Sequence, residues 1–540
     1  MGGVRRTGDS RSRHLMAAAA VGAVVVVAAG CSVVGQGEQG PSATAASSVS
    51  EASATSQVFE TLADYEGQVI EWGGCEDFEP PQGATTDGFE CGFAQVPLDY
   101  DEPAGERVSI AVTRRPARGE SIGSLFYNPG GPGASGVDYA FFETLVVRSD
   151  VLEQMDLVGF DPRGVSRSEG IDCLSDSDLD AYLSVDLTPD APAERLEYSD
   201  QLAGMAVGCS TQAPLAEQMD TVSVARDLDI LRAAMEQPKL NYLGKSYGTQ
   251  LGSVYAELFP DNVGRMVLDG AVDPELDLAS GQGTVEQIGG FEVAARAFVE
   301  DCLTRDDCPL SGDVDQGMSQ IAEFVDRLDV APMPTDDEER PLTQGLATYG
   351  VFAPLYAVDT WEVLRVGLTE AFDGSASTLL LLADSYSGRA PDGSYLNNSL
   401  EAFPAVNCVD LPPRAERVEL DVMSAQRELK AAAPVFGRFF DLAYDACEDW
   451  PFDGVGTPAI RAVGADPILV IGTTRDPATP YVWAQRLAEA LDSGVLLTFD
   501  GDGHTAYLTT GSECIDTVVD TFLLEGTVPR VGLRCEAQYD

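Results

Sequence analysis

The feature that most constrains the fold is a repeated change of period along the chain. From about Val108 onward, short apolar runs break at glycine-rich turns and give way to helical spacing. Val108–Val112 alternates as a half-buried strand. Ser124–Tyr127 ends at Asn128-Pro129-Gly130-Gly131-Pro132-Gly133, and Met155–Phe160 ends at Asp161-Pro162-Arg163-Gly164. Val222–Met235 is helical in period, Leu240–Gly244 reads as a buried strand, Thr249–Phe259 as helix and Arg265–Leu268 as strand. This alternation predicts an α/β fold, a mainly parallel sheet with helices on both faces. Between Asp273 and about Val463 the pattern changes to long helical stretches (Glu286–Leu303, Val314–Leu328, Thr360–Phe372, Ala376–Tyr386), which predicts an inserted helical cap. The sheet pattern resumes with Pro467–Gly472, a helix over Val482–Leu491, strand Val495–Phe499 and a closing helix near Cys514–Leu524. With 540 residues, 44% of them apolar, the chain can fill such a core, and no internal repeat is visible.

The N-terminus reads differently. Arg5, Arg6, Arg11 and Arg13 precede an apolar stretch, Leu15–Ala29, shorter than the roughly 20 residues of a membrane span. It closes on Ala28-Ala29-Gly30-Cys31, which resembles a bacterial lipobox with Ala28 in the place usually held by Leu. The expectation is an export signal over 1–30, a lipidated Cys31 and a flexible Ser/Ala/Gly/Thr-rich tether over 31–58. The folded body then divides into a first core part, 59–272, the cap, 273–463, and a second core part, 464–540. The protein is expected at the extracytoplasmic face of the cell membrane, held by its lipid anchor.

Ten further cysteines remain: Cys75, Cys91, Cys173, Cys209, Cys302, Cys308, Cys408, Cys447, Cys514 and Cys535. An even number in an exported chain points to disulfides, and pairing neighbours in order keeps every loop local. The formal net charge of −55 repels phosphate backbones, so nucleic acid is not an expected partner. Only two histidines occur, and His14 lies in the leader. One remaining imidazole rules out a multi-histidine zinc centre, and no metal or cofactor is expected. Any histidine-dependent chemistry falls to His504.

Three residues form a candidate constellation. Gly244-Lys245-Ser246-Tyr247-Gly248 stands between a predicted strand and a predicted helix, where flanking glycines permit the crowded turn that exposes a serine hydroxyl. His504 follows the strand read as the last of the sheet, in the loop Asp500-Gly501-Asp502-Gly503-His504. Asp476 lies between serine and histidine in sequence, just after the strand ending at Gly472, and Thr479 three residues on is in reach of it. Asp500 and Asp502 compete for the carboxylate role but sit close to His504 in sequence. A serine activated by an imidazole that a carboxylate orients is the arrangement of acyl transfer. The oxyanion it generates needs donors, for which the Tyr247 N–H and an N–H of the Gly130–Gly133 loop, Gly131 in particular, are candidates, since Pro132 has none.

Asn128-Pro-Gly-Gly-Pro-Gly133, Gly159-Phe-Asp-Pro-Arg-Gly164, Gly244-Lys-Ser-Tyr-Gly-Thr249, Asp269-Gly-Ala-Val-Asp-Pro274, Asp476-Pro-Ala-Thr-Pro480 and His504 together resemble the actinobacterial tripeptidyl aminopeptidase-like α/β-hydrolases, in the prolyl-aminopeptidase group of serine peptidases. The likeness runs from about Trp72 to Cys535 and is greatest to mycobacterial cell-envelope members described as serine proteases and carboxylesterases. It implies the α/β-hydrolase fold, with Ser246, Asp476 and His504 as a triad. Lys245 stands where the family leads one to expect Tyr or Glu. The implied activity is a serine peptidase releasing short peptides from free N-termini. An esterase with the same triad, an envelope endoprotease, and a non-enzymatic binding lipoprotein on this scaffold are the alternatives. The substrate is thus a peptide or an ester, and the oligomeric state is not legible. For a free amino end, the cap should offer an anion, and Glu286 and Glu292 on its first helix are the candidates.

Overall fold

In the computed structural model, residues 57–276, 281–417, 420–443 and 446–538 are described. The expected leader, Cys31 and nearly all of the tether lie outside them. Among the described residues nine strands form one sheet: β1 (Glu90–Pro97), β2 (Arg107–Arg115), β3 (Ser124–Asn128), β4 (Asp156–Phe160), β5 (Leu240–Lys245), β6 (Val263–Asp269), β7 (Ile468–Arg475), β8 (Gly494–Asp502) and β9 (Leu533–Glu536). Their order is β1-β2-β4-β3-β5-β6-β7-β8-β9. β2 runs antiparallel to β1 and β4, and the other pairings are parallel.

The central strands read as apolar runs because both of their faces are covered. Phe126, Tyr242, Leu268 and Val470 enter a core on one face, while Leu125, Leu243, Val267, Leu469 and Ile471 enter a core on the other. Helices Thr221–Ala234 and Tyr247–Leu258 cover the first face. Helix Glu513–Glu525 covers the second.

A third core belongs to the stretch inserted between β6 and β7. Helices Gln282–Cys302, Val314–Val330, Trp361–Asp373 and Ser377–Ser387 bring Phe298, Phe324, Leu364 and Leu379 together there. Helix Ser399–Asp410 lies within the same insertion, yet its Ala402, Ala405, Val406 and Val409 pack into the core of the sheet.

The sequence pattern misses several elements, among them β1, helices Pro192–Ser210 and Ser399–Asp410 and the final strand, and it misplaces one end. β1 mixes Glu90, Gly92 and Gln95 into its apolar positions, and helix Pro192–Ser210 buries only three side chains, so neither carries a clear period. β9 is four residues long and pairs parallel with β8. His504 therefore follows the last strand but one, which corrects the reading of β8 as the end of the sheet. Disulfides join Cys75–Cys91, Cys173–Cys209, Cys302–Cys308, Cys408–Cys447 and Cys514–Cys535, each cysteine with its neighbour in sequence.

Candidate active site

β5 turns into helix Tyr247–Leu258 at Ser246, whose backbone has φ 55° and ψ −127°. A non-glycine residue holds that conformation only where its surroundings over-determine it. Here the Ser246 N–H donates to the Asp269 carbonyl at 2.9 Å, and the Thr249 hydroxyl donates to the Ser246 carbonyl at 2.6 Å. Close approach explains Gly244: a Cβ there would lie 2.3 Å from the Gly248 carbonyl oxygen. As the first residue of its helix, Tyr247 has an N–H with no carbonyl partner inside that helix.

The loop after β3 folds over this corner. A Cβ on Gly130 would lie 2.5 Å from the Lys245 carbonyl oxygen, 2.9 Å from the Ser246 Cβ and 3.1 Å from the Tyr247 nitrogen. The backbone leading into Gly131 is thus packed on the serine. Gly130 and Gly131 have φ 99° and 106°, a region that other residues rarely adopt.

His504 meets Asp476 directly. Its Nδ1 lies 2.8 Å from Asp476 Oδ1 and 3.0 Å from Oδ2. The carboxylate is buried, and Oδ1 also accepts the N–H groups of Ala478 (2.9 Å) and Thr479 (2.8 Å). Thr479 Oγ1 is 3.4 Å from the same imidazole nitrogen. The other ring nitrogen, Nε2, is buried and has no hydrogen-bond partner among the described residues. Serine and imidazole flank the same two residues, since Ser246 bonds to Asp269 while a Cβ on Gly270 would lie 3.2 Å from His504 Cε1. The competing carboxylates are engaged elsewhere. Asp500 pairs with Arg534 at 2.9 Å, and Asp502 pairs with Arg475.

The stretch inserted between β6 and β7 touches this centre. The Tyr356 carbonyl accepts the His504 N–H, and Gln287 donates to the Ala478 carbonyl at 2.8 Å. The two glutamates expected to bind an amine both have internal partners. Glu286 accepts from Trp483 Nε1 at 2.6 Å and Arg486 Nη1 at 2.9 Å. Glu292 is buried, accepts the N–H groups of Phe436 (3.0 Å) and Val435 (3.3 Å), and faces Arg296 at 3.5 Å. Glu286, with its lone pairs and charge already matched, has little left for a substrate ammonium, and the amine-anchor expectation is corrected for it. Glu292 is held by its Oε2, while its buried Oε1 has no hydrogen bond among the described residues and only Arg296 beside it. Among the described residues, no cluster of three or more His, Cys, Asp or Glu side chains is arranged to hold a metal ion, and no helix is long and apolar enough to cross a membrane.

Sequence reasoning passed over Tyr356, Lys245 and Asp269 as parts of this site. The one available signal was a lysine inside the otherwise apolar end of β5.

The sheet order and the strand–serine–helix corner define an α/β-hydrolase. A family model described as "TAP-like protein" matches residues 433–535. The chain is 41% identical over 485 residues to serine protease Hip1 of Mycobacterium tuberculosis, covering 87% of this chain and 91% of that protein. It is 38% identical over 473 residues to carboxylesterase B of the same species, covering 86% and 89%. It is also 29% identical over 476 residues to tripeptidyl aminopeptidase of Streptomyces lividans, covering 86% of each chain. The chain belongs to this family of TAP-like α/β-hydrolases and is a serine hydrolase.

Proposed function

We propose that the chain hydrolyses acyl substrates through Ser246, His504 and Asp476, and that its substrates are peptides with free N-termini, from which it releases short fragments. The observation that carries the chemistry is the state of the imidazole. Nδ1 is fixed on a buried carboxylate, while buried Nε2 has no hydrogen-bond partner among the described residues, which leaves it uncommitted for the proton of Ser246. In this reading Ser246 Oγ attacks the carbonyl carbon as Nε2 takes its proton. Nε2 then returns that proton to the leaving group, and water hydrolyses the acyl-enzyme by the same route. Asp476 holds the imidazole in the tautomer with hydrogen on Nδ1 and offsets its positive charge. The N–H groups of Tyr247 and Gly131 receive the oxyanion, each contributing on the order of 10²–10³ in rate. Thr479 supports Asp476 through its N–H.

A second reading, an esterase with the same triad, is favoured by one observation: Glu286 is taken up by Trp483 and Arg486 and is not free to bind an ammonium. The relative named carboxylesterase B agrees with it. Steady-state assays on a free-amine tripeptide amide, its N-blocked form and a short-chain ester separate the readings. The highest kcat/KM on the free-amine peptide supports the exopeptidase. Preference for the N-blocked peptide or the ester overturns it in favour of an endoprotease or an esterase.

The insertion is proposed to act as a cap over this site, and residues 1–30 as a lipoprotein export signal that leaves Cys31 lipidated. Five disulfides support an oxidising compartment. Radiolabelled fatty acid should enter the wild-type protein and not Cys31→Ser; equal labelling of both would contradict the anchor.

A further inference from the structure

Lys245 is one of three lysines in the chain, and it is buried. Burying an ammonium without partners is costly, so its position calls for a reason beyond filling space. It ends β5 directly before Ser246 and pairs in register with Asp269, which ends β6. Its Nζ donates to the Tyr507 carbonyl at 2.7 Å. The Asp269 carboxylate, also buried, accepts the Ala506 N–H (2.9 and 3.0 Å) and the Tyr507 N–H (2.9 Å). Two charged groups of opposite sign therefore hold both ends of one short backbone segment, two to three residues beyond His504. Burial pushes the lysine below its ordinary range and the aspartate above its own, and each charge opposes the other's shift.

That segment closes a run, 504–508, in which every backbone N–H is committed. His504 donates to the Tyr356 carbonyl, Thr505 to Asp476, Ala506 and Tyr507 to Asp269, and Leu508 to Asp516. Thr505 and Leu508 both have positive φ, 61° and 62°, so the path is strained and depends on those bonds. Of these five holders, Tyr356, Asp476, Asp269, Asp516 and Lys245, only Lys245 takes a carbonyl rather than an N–H, and it adjoins Ser246 in the chain; the Thr473 and Thr510 hydroxyls take the neighbouring carbonyls of Thr505 and Ala506.

We propose that Lys245 is a positioning residue, which with Asp269 clamps the backbone after His504 and so sets the direction of the imidazole toward Ser246. This rests on the reading of His504 as the base. Because Lys245 and Ser246 share a peptide bond, the clamp ties the serine corner and the histidine loop to one frame. A displacement of about 1 Å in such a frame costs on the order of 10²-fold in rate.

The test is Lys245→Met, which keeps the volume and removes the donor, with Lys245→Gln as a second variant that retains an uncharged donor. Ester hydrolysis is measured beside the ¹⁵N-histidine spectrum, in which the His504 imidazole is assigned by its loss in His504→Ala. Expected for a folded Lys245→Met are a kcat at least about tenfold lower, a KM within about twofold, and a shifted or broadened His504 Nδ1–H resonance. Lys245→Gln should lie between it and the wild type. An unchanged kcat, a loss expressed only in KM, or an imidazole resonance that does not move would overturn the proposal. So would failure of both variants to fold, since Lys245 would then serve the fold as a whole. Failure of the catalytic reading itself would show separately, as an unmutated protein that neither hydrolyses esters nor is phosphonylated at Ser246.

Discussion

Tyr356 and His504 meet twice. The backbone N–H of His504 donates to the Tyr356 carbonyl at 2.7 Å, and the two rings stand edge to face with centroids 5.2 Å apart. The inserted helical stretch thereby bears on the one histidine of the candidate triad, through a bond that side-chain mutation cannot remove and a ring contact that it can. Tyr356→Phe removes only the hydroxyl, keeps the ring against the imidazole and should keep its turnover. Tyr356→Ala frees one side of the imidazole and should lower ester kcat about tenfold. Equal turnover in the two variants would show that the ring contact does not orient His504.

Asp476 and Thr479 differ in how they reach the imidazole, and their variants should differ accordingly. Asp476→Asn replaces the acceptor 2.8 Å from Nδ1 and can leave a donor there, which disfavours the productive tautomer; kcat should fall by roughly 10⁴-fold. Thr479→Val keeps the N–H that bonds to Asp476 and loses a hydroxyl 3.4 Å from Nδ1, so a loss below about tenfold is expected. Steady-state assays on one ester rank the pair, and the reverse ranking would contradict these roles.

Asp410 gives stability a pH dependence of defined sign. Burial pushes its carboxyl up to about 7, against the lowering effect of its bonds from the Thr221 hydroxyl and N–H. The folded protein thus keeps a proton that the unfolded chain releases near pH 4. Stability linked to that proton is complete below about pH 4 and is lost as pH rises through about 7. Asp410→Asn should therefore show a smaller fall in Tm between pH 5 and pH 8 than the wild type. Some slope should remain, because burial also raises Asp161, to about 6. Parallel Tm–pH curves for the two proteins would contradict the assignment.

The Cys514–Cys535 bond closes a loop of 21 residues between helix Glu513–Glu525 and β9. Replacing both cysteines by serine should cost about 3 kcal/mol in denaturant unfolding while leaving the active centre formed. Loss of activity at full stability would place β9 in the site instead.

What could be read in the sequence follows from how local each signal is. Ser246, Asp476 and His504 each sit just past an apolar run, so strand ends alone bring them to one edge of the sheet. The cysteines pair in chain order, which makes their connectivity nearly a local property. Glu286 and Glu292 show the opposite case. Helical spacing places them on the first helix of the insertion, but their partners, Trp483 and Arg486 for one and the amides of Val435 and Phe436 for the other, lie more than 140 positions away. In sequence such a glutamate cannot be told from one that waits for a substrate. Lys245 stands out in an apolar strand, but what it binds is hidden in the same way, because its acceptor at Tyr507 is 262 residues distant.

The central claim is that Ser246 is the nucleophile, and active-site phosphonylation tests it most directly. A fluorophosphonate probe is reacted with the wild type and with Ser246→Ala, and the labelled peptide is identified by mass spectrometry beside a hydrolysis assay. The account predicts a single label on the peptide carrying Ser246, and loss of both label and hydrolysis in a variant whose Tm stays close to the wild type. Labelling at another residue, or wild-type turnover in folded Ser246→Ala, would contradict it.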